Sequence, residues 1–469
     1  TIAGAHLTGG ARSSVFVLTV IGFGSKAGLL PLHAWLPKAH SAAPSPVSAL
    51  MSTAMVNLGV YGLIRFDVQL LGSGPTWWGL TLVAVGGLTA VYAALQACVA
   101  TDLKRLLAYS TSENMGLVIL AMGAALLLDT TGNALPAQVA FVAALLHLVN
   151  HAAFKTLGFL AAGSVLRGAG VRDLDELGGL ARRMPATSLL FGISALGAAG
   201  LPLGAGFVSE WLLLQSLIHP LPTSGAVVAF TMPLAVGAVA LTAGLGVTAM
   251  VKAFGIGFLA RPRSAGAANA REAAPSMLAA MGVGAVACTV LAVAPAMAEP
   301  LLRIQIRPDR LLGPSLGWWL RLPGVGGSIA PSLLAVSFGV AMVVALGLVA
   351  IRPVRARRAP LWACGGGQLT ARMQYTATSF AEPLQRVFDD VLRPDVDIDI
   401  THTAESRYLL EKVRYHNRIG DTVEARLYVP VVRALTGWAN LVRRAHVGSV
   451  HVYLGFGAFG LLVALVIAR

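Results

Sequence analysis

Residues 14–36 read Ser14-Val-Phe-Val-Leu-Thr-Val-Ile-Gly22-Phe-Gly-Ser-Lys26-Ala-Gly28-Leu-Leu-Pro31-Leu-His33-Ala-Trp35-Leu36, an apolar run of bilayer-spanning length with a lysine and a proline in its interior. A proline there removes a backbone hydrogen bond and clashes with the preceding turn, and backbone freed at membrane depth is tolerated only inside protein or along a wet cavity. The run therefore predicts a broken spanning helix held within a larger bundle. A second stretch, 187–218, is broken in the same way at Gly200-Leu-Pro202-Leu203. Paired broken helices predict an internal repeat and point to an ion path near the midplane.

The rest of the chain fits a bundle of this kind. Further stretches of spanning length lie at 46–66, 78–100, 105–128, 137–166, 226–259, 274–297, 330–351 and 448–468, which brings the count to about ten. The 469 residues are 56% hydrophobic and only 12% charged, and the mean hydropathy is +0.72. That composition excludes an ordinary soluble domain. Helices satisfy their own backbone in lipid, and the short alternating segments of a β-barrel are absent, so the class is an all-α polytopic membrane protein.

The net charge of +14 is read as loop lysine and arginine facing anionic lipid rather than as a nucleic-acid surface. If the segment around Lys38 is cytoplasmic, alternation also puts there Lys104 and Arg105, then Arg167, Arg172, Arg182 and Arg183, then Arg261, Arg263 and Arg271, then Arg352 to Arg358. This places the protein in the inner or cytoplasmic membrane. The loop 298–329, with Arg303, Arg307, Arg310 and Arg321, disagrees, so either a helix is miscounted or that loop is amphipathic. Cys98, Cys288 and Cys364 form no CxxC pair, and neither a disulfide framework nor an iron–sulfur site is expected. The sequence opens at Thr1 with no signal peptide and is expected to be an excerpt of a longer product.

Residues 352–447 differ, with 25 of the 56 charged residues. Phe380, Leu384, Val387, Phe388 and Val391 fall at helical spacing, as do Val423, Leu427, Leu435, Trp438 and Val442, which predicts amphipathic helices lying along a membrane or partner surface. Asp395, Asp397 and Asp399 imitate the start of a calcium loop, but Ile400 and Ser406 stand where its glycine and glutamate belong. Alternating Val396, Ile398 and Ile400 read as a short strand. No metal site and no cofactor are expected.

Ionisable residues inside spanning helices are costly, and each is a candidate for function. Lys26 precedes the first break. His147, His151 and Lys155 stand at i, i+4 and i+8, so they share one helix face over about 12 Å, a spacing suited to a proton relay. Glu210 follows the second break and can pass a proton onward. Three further residues carry open alternatives. Glu113 is either buried or paired at the turn Asp102-Leu-Lys104-Arg105. Lys252 either snorkels to the cytoplasmic face or joins the relay. His33, with His40, flanks the first break and is either a proton gate or interfacial.

The run Gly22 to Leu50, including Pro31-Leu-His33-Ala-Trp35-Leu-Pro37-Lys-Ala-His40, resembles the antiporter-like subunits of respiratory complex I and the Mrp-type cation/proton antiporters. Asp102-Leu-Lys104-Arg105-Leu-Leu-Ala-Tyr109-Ser110, His147-Leu-Val-Asn-His151-Ala-Ala-Phe-Lys155 and Gly200-Leu-Pro202-Leu-Gly-Ala-Gly-Phe-Val-Ser-Glu210 follow in the same order. The tail from Trp362-Ala-Cys364-Gly through Ala371-Arg-Met-Gln-Tyr375 resembles a narrower group, the hydrogenase-4 component B and formate hydrogenlyase subunit 3 type. The resemblance implies inverted repeats of five helices, each with one broken helix, crossed by buried Lys, His and Glu. It implies Lys26 as the broken-helix lysine, His147, His151 and Lys155 as the central relay, and Glu210 as the terminal acid. It divides the chain into the end of a first repeat (1–70), a second repeat (71–260), additional spans (261–351), a cytoplasmic amphipathic segment (352–447) and a terminal span (448–469).

Two departures accompany it. Asn57 replaces a titratable lysine of some relatives, and the glutamate partner of Lys26 is expected upstream of residue 1. The implied function is a proton-translocating membrane subunit of an energy-converting oxidoreductase, with no redox centre of its own. Its implied partners are other membrane subunits, a peripheral redox arm and the lipid bilayer. The competing reading is an Mrp-type cation/proton antiporter subunit without a redox partner. A haem enzyme is disfavoured, because His147 and His151 share one helix and no buried histidine pair faces them.

Overall fold

The computed structural model describes residues 8–72, 74–221, 225–298, 320–321, 328–351, 362, 364–365, 369–403, 405–445 and 448–468. We number the helices of eight residues or more in chain order: α1 (Gly9–Ala27), α2 (Trp35–Ala42), α3 (Ser45–Leu70), α4 (Thr76–Val99), α5 (Leu103–Thr130), α6 (Ala134–Ala169), α7 (Pro185–Ala198), α8 (Phe207–Ile218), α9 (Ala226–Gly257), α10 (Pro275–Val293), α11 (Pro331–Ile351), α12 (Ala377–Val387), α13 (Val429–Ala445) and α14 (Val450–Ile467). Among the described residues, eight are long and apolar enough to cross a bilayer: α3 to α6, α9 to α11 and α14. The protein is thus a multi-pass membrane protein. The two runs predicted to be broken are broken, each into two shorter helices.

Local chemistry fixes the helix ends. The Thr8 hydroxyl accepts from the Ala11 amide at the start of α1, and the Asp102 carboxylate accepts from the Arg105 amide at the start of α5. Pro185 and Pro275 occupy first-turn positions of α7 and α10, where a missing N–H costs nothing. Gly28 (φ 76°) ends α1 in the left-handed region that a side chain disfavours.

The core is α5, 94% of whose spanning window is buried, sandwiched between α4 and α6. Lipid tails are as apolar as leucine, so helices associate here through close packing rather than water exclusion. Glycine makes that closeness possible. A methyl group added at Gly86 would lie 2.4 Å from the Leu120 nitrogen, and one at Gly116 2.5 Å from the Ala90 nitrogen. Phe16 stacks on Trp78 with ring centroids 4.4 Å apart, which fastens α1 to α4. By contrast, none of the spanning window of α11 or α14 is buried by the rest of this chain.

At the first break, the Trp35 indole donates to the Ser25 carbonyl (2.9 Å) and the Leu30 amide donates to the Thr89 hydroxyl (3.0 Å), so the freed backbone finds partners inside protein. At the second, the Gly197 carbonyl accepts from the Gly200 and Gly206 amides, and Gly200 (φ 60°) and Leu203 (φ 71°) are both left-handed. α3 contains two π-helical stretches, Met51–Met55 and Ile64–Leu70.

The polar segment contains α12, α13 and an antiparallel hairpin, β1 (Asp395–Thr403) with β2 (Ser406–Arg418). The strand read from Val396, Ile398 and Ile400 is β1. The all-α description therefore holds for the membrane part, with this hairpin outside it. Most of the loop 298–329 that disagreed with the charge rule, including Arg303, Arg307 and Arg310, lies outside the described residues, as does the run Arg352 to Arg358.

The glycine seam is directly testable. Gly116→Ala is expected to cost about 1–3 kcal/mol, read as a lower thermal midpoint of the full-length protein in detergent. Gly244→Ala, which meets nothing within 4 Å, is expected to change stability by no more than about 0.5 kcal/mol. Equal midpoints would contradict the packing described.

Candidate functional site

The long helix α6 puts His147, His151 and Lys155 on one face, all buried, and that face meets α5 and α8. From α5 come Ser110, Glu113 and Asn114. The His147 ring lies between two partners, with Nε2 2.9 Å from the Asn114 Oδ1 and Nδ1 2.9 Å from the Ser209 Oγ. Ser209 also accepts from the Asn150 amide (3.1 Å) and donates to the Gly206 carbonyl (2.8 Å). It immediately precedes Glu210, so the second break and the central histidine meet through one hydroxyl.

Further along α6, the Lys155 ammonium donates to the Leu107 carbonyl at 3.2 Å. Its charge interacts with that of Glu113 across the α5–α6 interface. Glu113 does not pair at the turn after α4. There Asp102 pairs with Arg172 instead (2.6 Å). Glu113 lies against Gly246 of α9, where an added methyl group would come within 2.6 Å of Oε1. Both ring nitrogens of His151 lack a hydrogen-bond partner among the described residues, and the same holds for the buried His40 of α2. His40 stacks on Phe159 of α6 at 5.1 Å, and His151 feels the charges of Lys155, His147 and His40.

Glu210 is half-buried in the first turn of α8, where the helix dipole favours a carboxylate. A side chain at Gly200 would collide with it, since an added methyl group lies 2.3 Å from Oε2. That glycine therefore serves both the turn and the acid.

Two residues are placed otherwise than expected. Lys26 is exposed, in the last turn of α1, and does not join the interior group. A cation suits that helix end, but α1 packs mainly on α3, which leaves this side of it uncovered by the described chain. Lys252 does not snorkel. Wholly buried, it donates to the Cys98 and Ala100 carbonyls (2.5 and 2.6 Å) and to Ala97 (3.3 Å), capping the C-terminal end of α4. Asn57 is half-buried on α3 with its Oδ1 unpartnered among the described residues.

His33 has a partner that nothing in the chain order announces. Its Nε2 lies 2.9 Å from the Oδ2 of Asp421, in the polar segment, and both side chains are 1% exposed. The Tyr92 and Tyr109 hydroxyls donate to the same carboxylate at 2.8 and 3.2 Å. Burial alone would raise the Asp421 carboxyl, but the hydrogen bond and charge of His33, with the Glu424 amide and Tyr92, outweigh it and hold the group down, at about 2. Sequence reading missed Asp421, Asn114 and Ser209. The last two adjoin Glu113 and Glu210, which was the available signal, whereas Asp421 is one acid among many in a charged segment.

A family model described as "NADH:quinone oxidoreductase/Mrp antiporter, TM" matches residues 3–234. An uncharacterised protein of Mycobacterium tuberculosis is 62% identical over 468 residues, covering 98% of this chain and 73% of the relative. Hydrogenase-4 component B of Escherichia coli is 34% identical over 471 residues, covering 98% and 70%. Among solved structures, a chain of the membrane-bound sulfane sulfur reductase, an archaeal respiratory membrane complex, superposes with a TM-score of 0.75 over 96% of this chain and 68% of that one, at 23% identity, and so shares the fold. The chain belongs to the NADH:quinone oxidoreductase and Mrp antiporter transmembrane family, related to the hydrogenase-4 and formate hydrogenlyase subunits.

Proposed function

We propose that this chain is a proton-translocating membrane subunit of an energy-converting oxidoreductase of the hydrogenase-4 or formate hydrogenlyase type. Protons move along Glu113, Lys155, His151, His147 and Glu210. The observation that carries the reading is the buried cluster of Glu113, Lys155, His151 and His147 at the α5–α6 interface, with His147 joined to the second break through Ser209. Buried ionisable groups this dense are expensive, and a purely structural role needs none of them. Where His151 and His40 lack hydrogen-bond partners among the described residues, water is the carrier that buried polar nitrogens require.

The transfer works by alternation. Lys155 holds its proton while the Glu113 carboxylate faces it. A change in that pairing lowers its hold, and the proton passes by water to His151 and then to His147. His147 hands it to Ser209, whose hydroxyl turns from the Gly206 carbonyl and releases its own proton in exchange, and Glu210 receives that proton by way of water. Lys26, exposed on α1, enters the line only through a group supplied from outside the described residues.

The finer organisation belongs to this proposal. The two broken helices mark inverted repeats in a ten-span arrangement, with the boundaries 1–70, 71–260, 261–351, 352–447 and 448–469, and 352–447 lies on the cytoplasmic side. The uncovered surfaces of α11 and α14 face lipid or other membrane subunits. A peripheral redox arm supplies the energy, in keeping with relatives described as a hydrogenase-4 component and as part of a respiratory membrane complex.

Lys155→Ala and Glu210→Gln are each expected to abolish coupled proton uptake in membrane vesicles that contain the full-length protein and its partners. Artificial-acceptor redox activity in the partner should persist. Normal uptake by either variant contradicts the assignment. Ser209→Ala removes one of the hydrogen bonds that hold His147, worth about 1 kcal/mol, and should slow uptake roughly fivefold. An unchanged rate would place Ser209 outside the path.

A further inference from the structure

His33 stands in the turn that breaks the first spanning helix, and the polar segment reaches back across 388 positions of sequence to bond it. The contact has several attachments. Besides Asp421 on His33, Glu424 pairs with Lys38 of α2 and the Tyr428 hydroxyl donates to the Pro31 carbonyl at 3.1 Å. Three residues of the break and its following helix, Pro31, His33 and Lys38, are thus engaged by residues 421–428.

Asp421 also caps the helical stretch that leads into α13, accepting from the Val423 and Glu424 amides at 3.0 and 3.1 Å. Capping alone does not account for its position. A cap is satisfied by backbone amides and ordinarily faces water, whereas this carboxylate is buried and takes three side chains in addition, from the turn after α1, from α4 and from α5. A buried carboxylate on one nitrogen of an imidazole fixes the tautomer and orientation of the ring and stabilises its cation. The other nitrogen, His33 Nδ1, is buried without a hydrogen-bond partner among the described residues. His40, in α2, feels the charges of Lys155 and Lys104, and His151 feels that of His40.

We propose that His33 is the proton-uptake station on the Lys38 side of the membrane and that Asp421 is its positioning residue. This rests on the proton-translocating reading above. Asp421 keeps Nε2–H engaged, so the proton taken from the aqueous side adds to Nδ1 and leaves from the same nitrogen toward His40. One proton enters, one leaves, and Asp421 stays ionised throughout. The groups facing the pair are Lys38 from α2, Tyr92 from α4, Arg105 and Tyr109 from α5, and Glu424 and Tyr428 from the polar segment. Because the Asp421 carboxyl is depressed from 3.8 to about 2, its contribution to docking is present above the ordinary carboxylate range and is lost only as pH falls toward about 2. Acid release of Asp421 therefore plays no part at physiological pH.

The test uses full-length protein in its own membranes, with variant content quantified. Asn caps a helix as well as Asp does, so Asp421→Asn separates charge from capping. It should lower the proton-uptake rate roughly tenfold or more at about pH 8, with recovery toward about pH 6, where protons are more abundant. His33→Gln should lose uptake at both pH values. The double variant should be no slower than His33→Gln, as expected for two groups acting in one step. A wild-type rate for Asp421→Asn at both pH values, a pH-independent deficit, or multiplying losses in the double variant would overturn the proposal. Lys155→Ala measured alongside keeps the two claims apart. If it loses uptake while Asp421→Asn does not, the uptake station falls and the central relay stands. If Lys155→Ala is normal, the relay itself falls.

Discussion

A lysine and a glutamate cannot lie unpaired inside an apolar bundle without a penalty of several kcal/mol each. Glu113 and Lys155, whose charges interact across the α5–α6 interface without approaching to salt-bridge distance, are therefore the costly groups around which the membrane part is arranged. Glu113 sits on α5, the most enclosed helix, and Lys155 on the longest one, α6. Bringing those helices together at the required distance depends on α5 packing tightly on its other side as well, which the Gly86 and Gly116 contacts with α4 achieve. Removing either charge leaves the other buried and uncompensated. The two groups are consequently poor stabilisers, and under the proposed function a change in their separation would alter how firmly Lys155 holds its proton.

The breaks serve that arrangement from two directions. The second brings Ser209 to His147 and starts α8 with Glu210, so backbone irregularity is used to place a hydroxyl and a carboxylate at the end of the histidine line. The first places His33 and His40 on opposite ends of a short connection, one bonded to the polar segment and the other stacked on α6. At both breaks freed backbone groups find partners within the protein, the Leu30 amide on the Thr89 hydroxyl and the Gly200 and Gly206 amides on the Gly197 carbonyl, while Pro31, Leu201 and Pro202 themselves are exposed on the described chain.

How legible this was in the sequence depends on the range of the interaction. Helices, breaks and the shared face of His147, His151 and Lys155 follow from periodicity and from Pro and Gly, which act within a few residues. The strand at Val396, Ile398 and Ile400 was legible for the same reason. The destinations of Glu113 and Lys252 were not, because both depend on which helix lies opposite. Lys252 satisfies carbonyls at the end of α4, a need that arises only once α4 and α9 are adjacent. Lys26 looked interior because its helix is apolar, but its exposure is set by what covers α1. Asp421 lay beyond reach, since its role comes from a contact between distant segments and the local sequence around it is ordinary polar chain.

The central claim is that the Glu113–Lys155 pair moves protons rather than merely holding helices together. It is tested most directly by dye-monitored acidification of inverted vesicles that carry the full-length assembly, comparing the native chain with Glu113→Gln while electron transfer in the partner arm is followed in the same sample. The account predicts uncoupler-sensitive acidification by the native chain, and continued electron transfer without acidification in the variant. Acidification of equal extent per electron in both would contradict it.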